Sequence, residues 1–446
     1  MSHRIIIFFL FSALFLFQQK TNAQRLLTLE EAIATVLQNN YDIQLAKNDS
    51  LIAAIDYSYR NAAFLPNLNA NASVLWNTNN QDLKFVKRSG GGDSSVSRDA
   101  VKTSTINSSL NLNWVLFDGL RMFATWNKAE ELVKLGSLTI KEQVINSVAL
   151  VVATYYDVVR QKQQLKAVEE QIALNQERVK LAQNKLDIGT GAKPDVLQSK
   201  VDLNAQIALK FREETLIEQL KEQLIQAMNV SGNLAFDVVD SIPLNRDLVL
   251  ADIQTDIEKT NPALLIAQKN IDISKLTLKE RKGDLFPTIS FNSAYNFTRN
   301  DNNVAVNFNQ PFFTMNRGFN YGFSASIPIF NRFNIRRLVR QAELNIRYQE
   351  LTLSNQRSVI NLTMINAFKD YESQKKLLAL EEENILLARE NVDIVFQTYR
   401  LGAATLVQLR EAQTSLEAAH YRLITARYNT KLAEIEMLRL KGELVR

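Results

Sequence analysis

The fold is decided by residues 396–440, which read FQTYRLGAATLVQLREAQTSLEAAHYRLITARYNTKLAEIEMLRL. In this stretch large and small apolar side chains recur every seven residues, in two registers three residues apart: Leu409, Leu416, Leu423, Ala412, Ala419, Ala426 and Ala433. Such spacing is typical of a coiled-coil seam. Because the alanines are small, a partner helix can approach closely, and Gly402-Ala403-Ala404 predicts the turn that leads back to it. The stretch therefore predicts an antiparallel helical hairpin.

The same plan occurs twice along the chain. At an offset of 213 residues, Leu116-Phe117-Asp118-Gly119 matches Ile329-Phe330-Asn331-Arg332, and Ile188-Gly189 matches Leu401-Gly402. Upstream the offset is 221, since Leu65-Pro66 matches Phe286-Pro287. An internal duplication follows. We predict a first repeat over 24–235, with a strand hairpin at 67–116 and a helical turn near 189–193, and a second over 236–446, with a strand hairpin at 288–329 and a turn near 402–405.

Residues 1–23 have the features of a secretory signal peptide: one early basic residue, an apolar run and small residues at its end. The run from Ile5 to Phe17 is too short for a membrane anchor, which needs about 20 residues. The chain has no cysteine, which excludes disulfides, thiolate metal sites and lipid attachment through cysteine. Removing the signal lowers the net charge from +5 to +3. Because both signs alternate along the helices, this charge does not indicate nucleic-acid binding.

Four stretches alternate apolar and polar residues, as strands with two different faces do: 67–77, 110–116, 288–297 and 319–329. Their length and aromatic content fit strands that cross a membrane in a barrel. The residues predicted to face lipid are Ile289, Phe291, Phe319, Tyr321, Phe323 and Ile327. Each strand alone would also fit a soluble sandwich, but that alternative does not explain two hairpins placed between very long helices. The segments 78–104 and 298–318 are predicted to be surface loops.

The helices predicted after each strand hairpin run from Gly119 and from Asn331 to the turn glycines without an internal proline. Seventy helical residues extend about 105 Å. Two shorter helical stretches, Thr28–Ala63 and Lys193–Asn229, accompany the first long helix. Four strands cannot close a barrel, since about eight are needed. Two copies would give a barrel filled by side chains, whereas three would leave an interior, which the polar Asn and Ser faces favour.

Several segments resemble the TolC family of outer-membrane efflux proteins. They are Phe117-Asp118-Gly119 before a long helix, Leu186–Gly189 continuing to Asp195-Val196-Leu197, and Tyr399–Gly402 continuing to Leu409 and Glu411-Ala412. The resemblance covers essentially the whole chain after the signal. It implies an α+β membrane protein, a homotrimer with a 12-stranded outer-membrane β-barrel and a periplasmic α-barrel of helical hairpins, closed at its tip. Such proteins export small molecules or polypeptides with an inner-membrane transporter and a periplasmic adaptor.

The resemblance also implies a gate at the hairpin tips, where Gly189, Gly191 and Gly402 form the turns. The family's tip acid and tip tyrosine, which together restrain the closed state, match Asp195 and Tyr399. Two rings of acidic residues across the entrance match Gln408 and Glu411, so one ring is neutral here. Ala404 stands where some members have an arginine, so that family link is missing. Asp195 also fits an ordinary acid in a first helical turn, Tyr399 a packed seam aromatic, and Glu411 a solvated residue.

No residues indicate an enzyme, a cofactor or a metal site. After the signal His420 is the single histidine, and neither a glycine-rich phosphate loop nor an HExxH motif occurs. The alternative to a channel is a structural coiled coil or adhesin of the cell envelope, which would share the heptads but have no use for lipid-compatible strands. The cargo, the pump and the adaptor are not specified, because a tunnel needs no shaped binding pocket.

Overall fold

The structure is a computed structural model that describes residues 25–85, 94–230, 236–244, 248–250, 257–305 and 311–444. The predicted signal peptide and the predicted loop residues 86–93 lie outside these described residues. By compactness the chain divides into two units, each of which takes residues from both predicted repeats. The helical unit comprises Met1–Asp49, Ser137–Ile266 and Ser354–Arg446, and the sheet unit comprises Ser50–Gly136 and Ala267–Leu353.

The described elements follow one another in this order: β1 (Arg25–Leu27), α1 (Leu29–Asn39), α2 (Tyr41–Ser58), a 3₁₀ turn (Arg60–Phe64), β2 (Asn67–Phe85), β3 (Ser94–Phe117), α3 (Arg121–Asp187), α4 (Lys193–Met228), β4 (Phe236–Val238), α5 (Ile257–Thr260), α6 (Pro262–Gly283), β5 (Thr288–Asn302), β6 (Phe313–Ser326), α7 (Asn334–Arg400) and α8 (Leu406–Lys441). The duplication is visible in these bounds. Helices α3 and α7 have 67 residues each, and α4 and α8 have 36 each. A helix of 67 residues is about 100 Å long.

The sheet unit is built on four antiparallel strands in the order β2-β3-β5-β6. These strands are longer than predicted, because β2 continues to Phe85 and β3 begins at Ser94. The prediction of surface loops over 78–104 and 298–318 was therefore wrong for much of both segments. Continued pairing explains the difference: Thr78 to Phe85 pair with residues of β3, and Arg299 to Asp301 pair with residues of β6. Polar side chains alone do not end a strand that has a partner.

The segments that join strand to long helix adopt the same backbone in both repeats. Gly119 and Leu120 have φ of 72° and 68°, and Arg332 and Phe333 have φ of 56° and 59°. In the first repeat glycine is also required by space, since a Cβ on Gly119 would lie 2.2 Å from the carbonyl oxygen of Gly283. Asp118 then accepts a hydrogen bond from the Met122 amide at 3.1 Å and so caps the start of α3.

The helical stretch predicted over Thr28–Ala63 is broken at Asn40. Asn40 adopts an extended backbone, its side-chain amide donates to the Ala227 carbonyl at 2.9 Å, and its side-chain oxygen accepts from the Ile43 amide. Asn261 does the same between α5 and α6, where it donates to the Leu440 carbonyl at 2.8 Å and accepts from the Leu264 amide. A side-chain amide that bonds its own backbone competes with the helix and ends it.

The heptad seam of α8 is buried in the helical unit. Leu409, Ala412, Leu416 and Ala419 are almost inaccessible to solvent, and the last three pack with Ile385 of α7. In the first repeat, α3 also buries residues at heptad spacing, but most of them are polar. These buried residues are Gln161, Gln164, Val168, Gln171, Asn175, Arg178 and Ala182. The apolar heptads of the sequence do not predict this seam, because its buried positions are mostly polar.

Among the described residues, one helix, α3, contains a stretch long and apolar enough to cross a membrane by length and composition alone. Within it, Val148, Val151, Tyr155 and Val159 are fully buried and belong to the main core of the helical unit. Of the most apolar part of α3, 28% is buried inside the protein.

Candidate functional site

The register of the sheet aligns the apolar side chains of all four strands on one face. Residues directly opposite in antiparallel strands share a face, and Phe291 lies opposite both Trp114 and Phe323. Tyr295 lies opposite both Leu110 and Phe319. Ile289 and Tyr321 belong to the same face by alternation along β5 and β6. Phe319, Tyr321 and Phe323 are 66%, 74% and 74% exposed. Apolar side chains this exposed indicate a surface that another apolar phase covers.

Ile327, also predicted on this lipid face, lies outside the strand. Strand β6 ends at Ser326, which pairs with Thr288, the first residue of β5. Pro328 follows two residues later and has no amide hydrogen with which to continue the ladder. The prediction that Ile327 is a strand residue was wrong for this reason.

The opposite face of the sheet is polar. One row of opposed residues is formed by Asn67, Asn113, Asn292 and Gly322. The Asn113 amide donates to Asn292 Oδ1 at 2.6 Å, and the Asn292 amide donates to Ser324 Oγ at 2.8 Å. These bonds between side chains of neighbouring strands place them side by side on the same surface. One face of the sheet therefore suits lipid and the other suits water.

Strands β2 and β6 are the two edges of this sheet, and no described strand pairs with their outer sides. They have 19 and 14 residues, so each leaves a long row of backbone donors and acceptors open. Because every neighbouring pair is antiparallel, β2 and β6 run in opposite directions. The β6 edge of one copy can therefore pair with the β2 edge of another in the same antiparallel pattern. Exposed edges of this length favour pairing with another chain.

At the other functional region, the two helical tips have matching turns. Gly189 and Gly402 have φ of 78° and 83°. The Lys185 carbonyl accepts from the Thr190 and Gly191 amides, and the Thr398 carbonyl accepts from Ala403 and Ala404. A Cβ on Gly191 would lie 2.8 Å from the Leu186 amide nitrogen, so this position has no room for a side chain.

The tips differ in how the following helix begins. Thr405 caps α8, because its hydroxyl accepts from the Gln408 amide and the Gln408 side chain accepts from the Thr405 amide at 2.8 Å. The matching residue of the first tip, Ala192, has no capping side chain, and Asp195 lies in the first turn of α4. Gln408 is thus engaged in a local capping box. Glu411 lies one turn further along α8 and is exposed.

Tyr399 is buried, and Asp195 and Arg178 both act on it electrostatically. Burial raises the pKa of the Tyr399 hydroxyl, the Asp195 carboxylate raises this pKa further, and Arg178 opposes both effects. Within the described residues of one copy, however, the Tyr399 hydroxyl and Asp195 form no hydrogen bond. The structure brings the two residues near each other, and their joint restraint of the closed state stays a prediction.

Lys185 makes the contact between the tips that the sequence did not predict. Its ammonium group donates to the main-chain carbonyl of Tyr399 and lies 4.0 Å from the centre of the Tyr399 ring. A cation over an aromatic face adds electrostatic attraction to the hydrogen bond. Because Lys185 lies in the last turn of α3 and Tyr399 in the last turn of α7, this contact joins the two hairpins of one copy.

A second link lies three turns of helix away from the tip. Arg178 is 1% exposed and donates to Gln413 Oε1 and to Asp202 Oδ2, both at 2.7 Å. Asp202 also accepts from Gln198 at 2.8 Å. Arg178 Nε and Gln413 Nε2 have no partner. Burial lowers the pKa of Arg178, and the Asp202 carboxylate counteracts this. Arg178 therefore connects α3 to α4 in its own hairpin and to α8 in the other.

Heptad spacing could have identified Arg178, because it lies seven residues after Gln171, which itself lies seven after Gln164, and three after Asn175. Lys185 lies seven residues after Arg178 in the same register, but a lysine near a helix C-terminus is usually a solvated partner of the helix dipole, so the spacing alone does not indicate a contact. For metals or cofactors, the described residues contain no group of three or more His, Asp or Glu side chains able to hold a metal ion.

Paired strand hairpins with one apolar face, joined to helical hairpins about 100 Å long, define the class of channel proteins of the bacterial outer envelope. Comparison with known proteins agrees. The chain belongs to the outer membrane efflux protein family, whose sequence pattern matches residues 32–230 and 255–443. Members of this family are transport channels, and the chain is an outer-membrane efflux channel.

The relatives are distant in sequence. The outer membrane efflux protein BepC of Brucella suis is 21% identical over 90% of this chain and 87% of its own length, and TolC of Escherichia coli is 21% identical over 78% and 72%. Among solved structures, the CmeC outer membrane channel of Campylobacter jejuni has a TM-score of 0.75 at 15% identity, covering 93% of this chain and 86% of that one. VceC of Vibrio cholerae has a TM-score of 0.73 at 13% identity, covering 93% and 96%. These likenesses confirm the predicted fold.

Proposed function

We propose that three copies of the chain form one continuous export duct. The observation that carries this proposal is the pair of open edges, β2 and β6, on a sheet of only four strands. Four strands are too few to close a barrel. Twelve strands from three copies give a barrel with an interior, and a head-to-tail contact repeated about a threefold axis closes on itself. The apolar face then contacts outer-membrane lipid, and the polar face lines the duct.

In this proposal, the helical hairpins of the two repeats, 24–235 and 236–446, extend the duct into the periplasm. Residues 1–23 direct secretion and are removed. An inner-membrane transporter and a periplasmic adaptor deliver the cargo, which is a small molecule or a polypeptide. Support comes from family membership and from the length of α3 and α7, which exceeds what a bilayer requires.

The gate is proposed at the hairpin tips, with Asp195, Tyr399, Gln408 and Glu411 around the entrance. Within each copy, Lys185 on Tyr399 and Arg178 on Gln413 hold the two hairpins together, so the closed state depends on both contacts. Tyr399 and Asp195 contribute through charge and packing. Gln408 supports the start of α8, and Glu411, exposed on α8, supplies three like charges in a trimer.

Mass measurement and single-channel recording test the assembly. The purified protein in detergent should have the mass of three chains by light scattering, and it should give discrete conductance steps in planar bilayers. A monomer or dimer, or a protein that gives no steps, would overturn the duct.

Neighbouring residues on β6 test the assignment of the faces. Phe323→Arg near the middle of the bilayer should cost about 2–4 kcal/mol of stability. Ser324→Arg points to the other face, so it should assemble and change conductance. Equal tolerance of arginine at both positions would show that the faces are wrongly assigned.

A further inference from the structure

The polar face of the sheet carries no charge over its central part. Four consecutive rows of opposed residues, from the row of Asn67 to the row of Ser73, contain sixteen positions. Ten of them are asparagine, and the others are Ser, Thr, Gly and Ala. We call these four rows the asparagine belt.

The sheet does contain charges, but they lie elsewhere. Arg299 is opposite Ile106 and Met315, and Arg317 is opposite Phe297, so both arginines are on the apolar face. Arg299 is paired there with Asp301 at 2.8 Å. The lack of charge is thus a property of these four rows, since charged strand residues such as Arg98, opposite Gln81, lie beyond them.

Several side chains of the belt hydrogen-bond to one another or to the backbone of the sheet. Asn111 donates to Ser109 Oγ at 2.9 Å, Asn113 donates to Asn292, and Asn320 Oδ1 accepts from the Ala294 amide at 3.0 Å. A carboxamide offers donors and an acceptor but has no net charge and does not titrate. Fixed charges lining a narrow passage concentrate ions of the opposite sign, and the belt has none with which to do so.

We propose that the asparagine belt does not discriminate solutes by the sign of their charge, so any ion preference of the duct is set outside the belt. This inference rests on the proposed barrel, in which the belt faces the lumen. Polar solutes of either charge, including zwitterions and peptides, can then pass the belt. They contact its wall through hydrogen bonds. Charged residues outside the belt, such as the exposed Glu411 near the tips, then set any ion preference.

The absence of cysteine from the chain allows a direct measurement of the potential at the belt. In the full-length channel, Ser109→Cys introduces one thiol per chain with little change in size and retains all the belt asparagines. The thiolate attacks the sulfenyl sulfur of a methanethiosulfonate reagent, which forms a disulfide and releases methanesulfinate. Two such reagents are compared: an anionic one with an ethylsulfonate group and a cationic one with an ethyltrimethylammonium group. The rate at which each modifies the channel thiol is divided by the rate at which the same reagent modifies 2-mercaptoethanol.

The two normalised rates at Ser109→Cys should agree within about threefold. A preference of about tenfold or more for either reagent, as a charged passage produces, would overturn the neutral belt. The double variant Ser109→Cys with Asn111→Asp places a carboxylate beside the thiol and should favour the cationic reagent by about tenfold, which shows that the assay detects charge. If Ser109→Cys does not assemble, Thr298→Cys in the fourth row gives the same comparison.

Leu110→Cys separates failure of this inference from failure of the barrel. Leu110 is the next residue of β3 and lies on the apolar face. In lipid vesicles its thiol should react with neither charged reagent. Modification of Leu110→Cys with protection of Ser109→Cys would show that the proposed barrel has its faces reversed, whereas unequal rates at Ser109→Cys alone would overturn only the neutral belt.

Discussion

The two long helices α3 and α7 have the same length and the same place in their repeats, but they bury different side chains. In the hairpin of α7 and α8, the core of the seam consists of Ile385, Val392, Ala412, Leu416 and Ala419. In the C-terminal half of α3, most of the buried residues at heptad spacing carry side-chain amides, and Arg178 is buried among them. Several of their atoms have no partner, including Gln161 Oε1, Gln164 Nε2 and Asn175 Oδ1.

This difference shows that one backbone can be held by two kinds of interaction. An apolar seam stabilises through burial and many dispersion contacts, so truncating one of its side chains costs more the larger the cavity that is left. A polar seam depends on a few directed bonds, and a buried polar group that loses its partner is costly. We therefore expect the second hairpin to be the firmer of the two, and the first to depend on specific links that single substitutions can remove.

The largest effect is expected in the apolar seam. Leu416→Ala should lower the stability of the helical unit by about 2–5 kcal/mol, because it leaves a cavity beside Ile385 and Val392. The matched control is Leu203→Ala, at the equivalent position of α4, where the side chain is only half-buried. The midpoint of guanidinium unfolding, followed by helical circular dichroism, measures both. A control as destabilised as Leu416→Ala would mean that the two seams do not differ.

The next effect is expected at the polar link. Arg178→Met should cost about 2–3 kcal/mol, because Gln413 is left buried without a partner and Asp202 keeps only Gln198. The equivalent residue of the second repeat, Asn391, is exposed, so Asn391→Met should change the free energy of unfolding, measured in the same way, by less than about 0.5 kcal/mol. Equal effects of both variants would contradict the role of Arg178.

At the tips, Lys185→Met should raise the open fraction of the channel about fivefold or more, because it removes a charged hydrogen bond and a cation–π contact between the hairpins. Tyr399→Phe should have a smaller effect, since the Lys185 contact with the main-chain carbonyl and the ring is retained. Single-channel open probability distinguishes them. A larger effect of Tyr399→Phe would indicate that the tyrosine hydroxyl holds the gate, for instance on Asp195 of another copy.

The smallest effect concerns pH. Burial lowers the pKa of His420, the Glu170 carboxylate 3.8 Å away raises it, and Arg389 lowers it. Because the folded pKa is below the unfolded value of about 6.5, the unfolded chain takes up the proton first. The stability that the neutral histidine contributes is therefore present above about pH 6.5 and is lost as the pH falls through the folded pKa. His420→Gln should reduce this decline in the unfolding midpoint, and an unchanged decline would assign it to other groups.

Periodicity made much of the fold predictable. The alternation in β5 and β6 identified the apolar face, and the 213-residue offset between repeats is reproduced in the bounds of the long helices. The tip contacts were less accessible from sequence. Lys185 and Arg178 act through partners 214 and 235 residues away, and nothing local to them indicates which side chains the fold brings near. The left-handed conformation of Arg332 and Phe333 was hidden as well, because only the first repeat has a glycine there.

The two open edges of the sheet have a genetic consequence. In the proposed trimer, each copy uses β6 toward one neighbour and β2 toward the other, so a chain with one faulty edge can still occupy a place in the ring. Such a chain would pair with an intact copy through its unmutated edge strand and leave the barrel open at its mutated edge. A mutation confined to the β6 edge should therefore be dominant over a wild-type copy in the same cell, whereas a mutation that prevents folding of the chain should be recessive.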